Sequence, residues 1–336
     1  MTDNALLLAG DIGGTKTTLA LYRQGEWPQP PLAQHTFQNS KATDFYQLVE
    51  QFLQKNNVSP AFGCFGIAGP IIGNKAEMTN LDWTISVEHL QQQFHFQHAF
   101  LINDLVATIM GAVLLPKADL EILNTGRPGS SSTIAVLAPG TGLGQGFLTH
   151  DGTQPFPHPS EGGHISFAPR GARQIQLLSH MQQKYAHVSA EHVCSGSGLP
   201  NLLDFMQTLL PMPLQLTRDL SSVIDKTPVI INAALNALHS NQKDHIALQT
   251  MLLFVDILAD QAANLALTTM ALGGIFLGGG LAPRIQPFIN QKHFMALFSR
   301  GVYQELLQDI PIKIILNPQT ATLGAAAYGI KKIAPF

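Results

Sequence analysis

The chain has 336 residues, a formal charge of −3 and only 12% charged residues, about half the ~25% of an average soluble domain. It is long enough for two domains around a large buried core, and its 29 glycines and 21 prolines stay well under the roughly 25–30% that marks low-complexity chain. No run of Lys or Arg supplies a basic footprint, so the expected partner is a small molecule, with neither nucleic acid nor membrane.

An acid in Met1-Thr2-Asp3-Asn4 stands where a secretory leader carries cations, and the first apolar run ends at Asp11. The sequence therefore predicts neither a signal peptide nor a membrane span, and a cytoplasmic location. Leu6 to Tyr22 reads as a β-hairpin, two apolar strands joined at Gly13-Gly14, which can take positive φ without a Cβ clash. Such a bend can aim several backbone N–H groups into one concavity and so hold phosphate. An ordinary tight hairpin is the alternative. Asp11 lies at the mouth of the bend, and a carboxylate beside phosphate calls for a hard cation between them, for which Mg²⁺ is suited.

Trp27-Pro28-Gln29-Pro30-Pro31 reads as a turn, Ala33 to Gln38 as a strand, and Phe45, Leu48, Val49, Phe52 and Leu53 recur at helical spacing. Ala61 to Pro70 is a strand running into a loop, Ala76 to Asn80 a short strand, and Ser86 caps a helix start. Phe100-Leu101-Ile102 then ends abruptly in Asn103-Asp104, before the helical pattern Val106, Ile109, Met110, Val113. Polar groups at the carboxyl ends of strands in α/β sheets face ligands. Asn-Asp also caps helices, and the two roles are compatible.

Beyond Leu115-Pro116, Ile134 to Leu148 repeats the plan of the first hairpin, with Gly140-Thr141-Gly142 at its bend. Two such hairpins point to related halves facing one nucleotide. The chain has no Gly-Lys dipeptide for a P-loop, and its glycine spacings miss the dinucleotide fingerprint. Glu161 and His164 flank Gly162-Gly163 in a loop entering a strand, where they either exchange hydrogen bonds with sugar hydroxyls or serve the fold. A metal site there lacks a third ligand. Ile175 to Tyr185 reads as helical, and Glu191 stands either at a ligand or in a helix's first turn, where the macrodipole favours it.

Leu202 to Leu210 and Val229 to Leu238 are further helices, and His245 to Leu272 is the longest apolar stretch. Asp256 and Asp260 inside it predict a buried core helix over a membrane span. Ile275-Phe276-Leu277 runs into Gly278-Gly279-Gly280, which either lets backbone approach an adenosine closely or makes a plain strand–helix turn. Ile312 to Leu316 is a strand, and Thr322 to Gly329 a helix of small residues suited to close packing on the first domain. Cys64 and Cys194, far apart and without metal-ligand spacing, read as buried free thiols.

Taken in order, Gly10-Asp11-Ile12-Gly13-Gly14-Thr15, Met78-Thr79-Asn80-Leu81-Asp82-Trp83, Ile102-Asn103-Asp104, Gly140-Thr141-Gly142-Leu143-Gly144, Glu161-Gly162-Gly163-His164, His187-Val188-Ser189-Ala190-Glu191 and Gly278-Gly279-Gly280 resemble the bacterial glucokinase family from about residue 6 to residue 330. The resemblance implies an α/β, two-domain actin-like ATPase (ribonuclease H-like) fold whose interdomain cleft closes on glucose and MgATP. Residues 1–110 with 318–336 would form the small domain and residues 111–317 the large one. It also implies a homodimer, with ATP and Mg²⁺ as cofactors and the 6-hydroxyl of glucose as acceptor. Carried over residue by residue, Asp104 is the general base, and Asn103, Asp104, Glu161, His164 and Glu191 bind the sugar. Gly10, Asp11, Ile12, Gly13, Gly14, Thr15, Gly140, Thr141, Gly142 and Gly279 hold the nucleotide, Asp11 acting on Mg²⁺ through bound water.

Two positions depart from the family's pattern. Lys16 stands where Asn is usual, resembling the first phosphate motif of the related repressor/kinase sugar family, and Ser160 stands where Gly is usual. That second family's cysteine-rich zinc motif is missing from a chain with 2 cysteines. The alternatives are a kinase for another hexose or amino sugar, and a non-catalytic sugar-sensing regulator of the same fold. A DNA-binding regulator needs a helix-turn-helix module, for which a hairpin starting at residue 6 leaves no room ahead of it.

Overall fold

The computed structural model describes residues 5–24, 30–78, 81–127, 133–152 and 154–333. The chain divides into two compact units, residues 1–119 with 157–159 and 317–336, and residues 120–156 with 160–316.

In the first unit β1 (Leu6–Ile12) and β2 (Lys16–Arg23) pair antiparallel, with Ile12 opposite Thr17 and residues 13–16 in the bend. Leu8, Ile12, Leu19 and Leu21 are buried on one face, and Leu7, Ala9, Ala20 and Tyr22 on the other. Burial on both faces is why these strands read as continuous apolar runs. β3 (Ala33–Gln38) closes the edge beside β2. α1 (Phe45–Asn56) begins at Asp44, whose carboxylate accepts from Gln47 N at 2.8 Å, and buries Phe45, Leu48, Val49 and Phe52. β4 (Phe62–Ile67) joins β1 in parallel, and β5 (Ile71–Ile72), β6 (Lys75–Glu77) and β7 (Thr84–Ser86) form a small antiparallel sheet. After α2 (Val87–Phe94), capped by Ser86, β8 (His98–Asn103) completes the order β3-β2-β1-β4-β8, and α3 (Asp104–Ala112) starts at its end.

The second unit runs β9 (Leu120–Asn124), β10 (Ile134–Pro139), β11 (Leu143–His150), β12 (Pro155–Ser160), α4 (Gly171–Met181), α5 (Leu199–Met206), α6 (Leu214–Ser221), α7 (Thr227–His239), α8 (Ile246–Thr269), β13 (Gly274–Leu277), α9 (Ala282–Ile285), α10 (Gln291–Phe298), α11 (Gln304–Gln308) and β14 (Ile312–Ile315). Its sheet order, β12-β11-β10-β13-β14-β9, repeats the first sheet with one strand added. Again an antiparallel hairpin, β10 to β11, is followed by parallel neighbours. Two related halves are what the paired hairpins in the sequence point to. Among the described residues α8 is the one helix long and apolar enough to cross a membrane, yet 83% of its most apolar window is buried, so it is the spine of this unit's core.

Asp260 in that spine is buried, which offsets poorly unless its charge is matched. Arg170 Nε at 3.0 Å and Arg300 Nη1 at 2.6 Å take one carboxylate oxygen, and Gln174 Nε2 donates to the other at 2.8 Å. Cys64 and Cys194 are free and buried, and burial pushes both thiols upward, so neither is a thiolate near neutral pH.

Several elements differ from the sequence reading. Neither Gly13 nor Gly14 has positive φ; the bend is closed instead by Gly13 N donating to Lys16 O at 3.0 Å. The strand expected at Ala76 to Asn80 is Lys75–Glu77, with Thr79 and Asn80 outside the described residues. The expected turn at Trp27 to Pro31 lies largely outside them too. The Glu161–His164 segment follows a strand, β12, and leads only to an isolated bridge between Ser166 and Ser189. α4 starts and stops earlier than its apolar periodicity, which continues into a turn at residues 182–184. α6 escapes the reading because it buries only Leu216 and Leu220, too few positions to define a period.

The last helix, α12 (Thr320–Ile333), belongs to the first unit and lies across α3. A Cβ on Gly111 would meet the backbone oxygen of Thr320, and one on Gly324 the backbone oxygen of Ala107. The two helix backbones touch because both positions are bare. Helix propensity alone favours Ala over Gly by about 1 kcal/mol, whereas overpacking costs about 1–3 kcal/mol, and backbone cannot swing aside as a side chain can. Gly324→Ala is therefore expected to lower the free energy of urea unfolding by about 1–3 kcal/mol. Equal or greater stability would show that the helices have room to spare.

Candidate active site

Three parallel strands of the first unit end in one row. Ile12 on β1 is opposite Ile67 on β4, which is opposite Asn103 on β8. Asp11 lies one residue inside this row and Asp104 one residue beyond it, as the first residue of α3. Asn103 caps that helix, its Oδ1 accepting from Leu105 N at 2.9 Å, and Asp104 Oδ1 accepts from the same N–H at 2.9 Å. The cap and the ligand-facing position thus coincide, since the macrodipole favours an anion at this helix end. Gly66 sits between them on β4, opposite Asp11, and a Cβ there would stand 2.9 Å from Ala107 Cβ. Its bare backbone lets α3 pack close to the sheet.

Asp11 is half-buried, and its pKa is pushed up to about 7, first by loss of water around it and then by the Asp104 carboxylate. Ile12 has its side chain wholly in the core, and its carbonyl accepts from Ala68 N at 3.0 Å. Gly10 is mid-strand, where a Cβ would collide with the Phe65 ring at 2.7 Å. Gly13 and Gly14 are half-buried, and Thr15 and Lys16 are exposed. The bend is braced by Asn39, which the sequence gives no reason to single out. Asn39 N donates to Thr15 O at 3.0 Å, its Nδ2 donates to Gly13 O at 2.8 Å, and its Oδ1 accepts from Thr17 Oγ1 at 2.8 Å. Asn39 is buried just past β3, so only the pairing of β3 with β2 reveals the contact.

In the second unit the structure gathers four segments. The bend at 140–142 closes with Gly140 N donating to Gly142 O at 2.8 Å, and Gly196 N and Ser197 N donate to Gly140 O and Thr141 O at 2.8 and 3.0 Å. Glu191 joins this bend to the next segment: its Oε2 accepts from Leu143 N at 2.8 Å, while its own N donates to Gly163 O at 2.8 Å. A Cβ on Gly142 would collide with the Glu191 carboxylate, and one on Gly163 with Leu143 O. Glu191 lies in a turn well before α5, which removes the helix-first-turn reading and leaves Oε1 for a ligand. Its neighbour His192 stacks on Tyr185 at 4.1 Å, and burial lowers its pKa, against the pull of Glu191.

Glu161 and His164 are exposed, with His164 Nε2 3.8 Å from Glu161 Oε2. So long and wet a pair contributes little, and both side chains stay available to hydroxyl groups. Ser160 Oγ donates to Gln145 O at 3.0 Å and accepts from Gly162 N at 3.3 Å. The serine that departs from the family pattern therefore ties this turn to β11. Gly279, at φ +76, would place a Cβ against Pro139 O, and Leu281 N donates to Pro139 O at 3.0 Å. The three-glycine turn is thus seated at the end of β10, beside the 140–142 bend.

The family model for glucokinase matches residues 8–332. A glucokinase of Nostoc punctiforme is 38% identical over 333 residues, covering 96% of this chain and 98% of that protein. The crystal structure of a glucokinase from an Antarctic psychrotroph superposes with a TM-score of 0.83 at 28% identity, over 98% of this chain and 100% of that one. A ROK family glucokinase from Streptomyces griseus, solved in complex with glucose and AMPPNP, matches in fold with a TM-score of 0.66 at 17% identity, over 97% and 100% of the two chains. The two-domain actin-like α/β fold is common to them. With the family model matching residues 8–332 and a relative 38% identical over 96% of the chain, the chain belongs to the glucokinase family.

Proposed function

We propose that this chain transfers the γ-phosphoryl group of ATP to the 6-hydroxyl of glucose, giving glucose 6-phosphate and ADP. The observation that carries the reading is the carboxylate of Asp104, held just past the end of β8 beside Asn103 and level with the 13–16 bend's own strand. The Streptomyces relative that holds glucose together with AMPPNP supports the pairing of sugar with adenine nucleotide.

A sugar hydroxyl is a weak nucleophile, and phosphoryl transfer leaves the protein mainly positioning and charge neutralisation. Asp104 accepts the hydroxyl proton as the sugar oxygen bonds to the γ-phosphorus, and the electron pair of the breaking bond leaves on ADP. One positioned base contributes about 10²–10⁴-fold, or about 3–5 kcal/mol. Asn103 spends its Oδ1 on the cap, leaving its amide hydrogens for a sugar oxygen. Glu161, His164 and Glu191 bind the other hydroxyls, and the two glycine bends donate backbone N–H groups to the phosphates.

The donor set at Asp11 fits Mg²⁺: a hard oxygen ligand, in a place where a neighbouring carboxylate makes unscreened negative charge costly. Among the described residues no group of three or more His, Cys, Asp or Glu side chains could cage a metal alone, in keeping with an ion shared with nucleotide phosphates and water. When bound, the ion would neutralise charge on the β- and γ-phosphates. Asp11 would hold its water shell.

Asp104→Asn is expected to cut kcat for glucose-dependent ADP release by about 10²–10⁴-fold with folding intact, since Asn103 still caps α3. Turnover near that of wild type would remove Asp104 from the chemistry. Glu161→Gln and Glu191→Gln are expected to raise KM for glucose about 10-fold, near 1.4 kcal/mol, and to leave KM for ATP unchanged. Unaltered sugar dependence in both variants would refute their assignment. ADP release with glucose, mannose, fructose, N-acetylglucosamine or no sugar tests the acceptor, and preference for an amino sugar would favour the alternative kinase.

The acid pair also sets a pH dependence. Folding raises the Asp11 pKa from 3.8 to about 7, so between those values the folded chain binds more protons than the unfolded one. Stability contributed by this group is therefore present at acid pH and lost as pH rises toward 7. At roughly 1.4 kcal/mol per tenfold change in proton affinity the ceiling is about 4 kcal/mol. In EDTA, the urea-unfolding free energy of wild type is expected to fall more from pH 5 to pH 8 than that of Asp11→Asn. Parallel profiles for the two proteins would show that Asp11 titrates normally.

A further inference from the structure

We propose that His192 is a positioning residue for the sugar: unprotonated at Nδ1, it clasps Ser189 across the turn that carries Glu191, and glucose affinity falls when acid opens the clasp. The inference rests on the kinase reading above and adds to it a residue that acts through Glu191.

Ser189-Ala190-Glu191-His192 has the spacing of a capping box, in which a hydroxyl and an acceptor three residues on each take the other's backbone N–H. Both halves are present. Ser189 N donates to His192 Nδ1 at 3.2 Å, and His192 N donates to Ser189 Oγ at 3.4 Å. The usual acceptor in such a box is Glu or Gln. Imidazole can replace them only while Nδ1 has no proton, which puts the hydrogen of the neutral ring on Nε2. Ser189 is buried, and its bridge to Ser166 uses Val188 O and Ala190 N, leaving the Ser189 N–H out. Among the described residues His192 Nδ1 is the one acceptor that this N–H has.

The clasp closes around the residue that joins two parts of the site. Between Ser189 and His192, Glu191 N donates to Gly163 O and Glu191 Oε2 accepts from Leu143 N, each at 2.8 Å. His192 is fixed from its other sides as well. Its ring stacks on Tyr185 with centroids 4.1 Å apart, and its carbonyl accepts from Asn201 Nδ2 at 2.9 Å. Asn201 Oδ1 in turn accepts from Lys184 Nζ at 2.9 Å and from the Tyr185 hydroxyl at 3.3 Å. With the ring held in this way, a proton on Nδ1 must face the Ser189 N–H.

The charged and titratable groups that face His192 are Glu191 and His187 on its own segment, His164 from the neighbouring turn, and Lys184 and Tyr185 from the stretch after α4. Loss of water around the ring lowers its pKa most; Glu191 pulls it up, and His187, His164 and Lys184 push it down. The folded chain therefore favours the neutral ring. Between the folded value and the ordinary one the unfolded chain binds more protons, so what the clasp contributes is complete above the ordinary value and is lost as pH falls through the folded one. Protonation then sets donor against donor and leaves the Ser189 N–H unpaired in a buried place. It also puts a cation beside Glu191, which draws on the carboxylate that serves Leu143 N and the sugar.

The test is KM for glucose, at saturating ATP, from pH 5 to pH 8 in wild type, His192→Gln and His192→Phe, with folding at each pH checked by circular dichroism. Gln keeps an acceptor and does not titrate, and Phe keeps a ring for Tyr185 but has no acceptor. Wild type and His192→Gln share His164, His187 and Lys184, so the difference between their profiles isolates residue 192. KM is expected to rise toward pH 5 about 3–10-fold more in wild type than in His192→Gln, the net worth of one hydrogen bond, and to agree within about 2-fold at pH 8. His192→Phe should raise KM for glucose about 3–10-fold at pH 8, with kcat and KM for ATP unchanged. Parallel profiles in wild type and His192→Gln overturn the proposal, as does a His192→Phe variant that loses kcat while KM for glucose stays put. Should His192→Phe not fold, the comparison of wild type with His192→Gln still decides. Those results leave the kinase reading standing if wild type releases ADP with glucose. A wild type that releases none overturns both.

Discussion

The register of three parallel strands is the constraint on which the proposed chemistry depends. Because Ile12, Ile67 and Asn103 align across β1, β4 and β8, Asp11 and Asp104 come to one end of one sheet. Loss of water around Asp11 raises its pKa first, and the nearby Asp104 carboxylate raises it further. This juxtaposition is sustained because the strand ladders and the first turn of α3, each held by backbone hydrogen bonds, leave neither acid free to withdraw. Gly66 completes the device, since a side chain between the two would push α3 away from the sheet.

The second unit reaches a similar end by other means. There a single carboxylate, Glu191, ties the 140–142 bend to the Glu161–His164 turn through one side-chain and one backbone hydrogen bond. The bare Cα atoms of Gly142 and Gly163 are what let those segments close on it. Their glycines serve proximity: Glu191 fills the space a side chain at Gly142 would need, and the Leu143 backbone the space at Gly163. Loss of its charge is milder than loss of its shape, because a glutamine oxygen still accepts from Leu143 N.

Both units are built on the same strand order, yet they brace their bends differently. Asn39 reaches back from the edge of the first sheet, where an amide can both donate to Gly13 O and accept from Thr17. The Glu191 side chain reaches in from a separate segment and only accepts. The first bend keeps an exposed ammonium, and the second exposes a threonine. One plan thus yields two phosphate-type bends of different charge. Farther from the bends, Asp260 with Arg170, Arg300 and Gln174 pins the core helix α8.

The sequence by itself determined what is local. The two hairpins, the strand Ala33–Gln38, the Ser86 cap and the abrupt end of β8 at Asn103-Asp104 all follow from alternation, glycine and capping chemistry within a few residues. The family's motifs, strung in order along the chain, named the acids that those strand ends carry. Only the tertiary structure decided which distant groups meet. Glu191 finds Leu143 N across 48 residues, Asn39 finds Gly13 O across 26, and Gln174 finds Asp260 across 86. Hydrophobic period says which face of an element turns inward, and nothing about which polar atom on another element waits there.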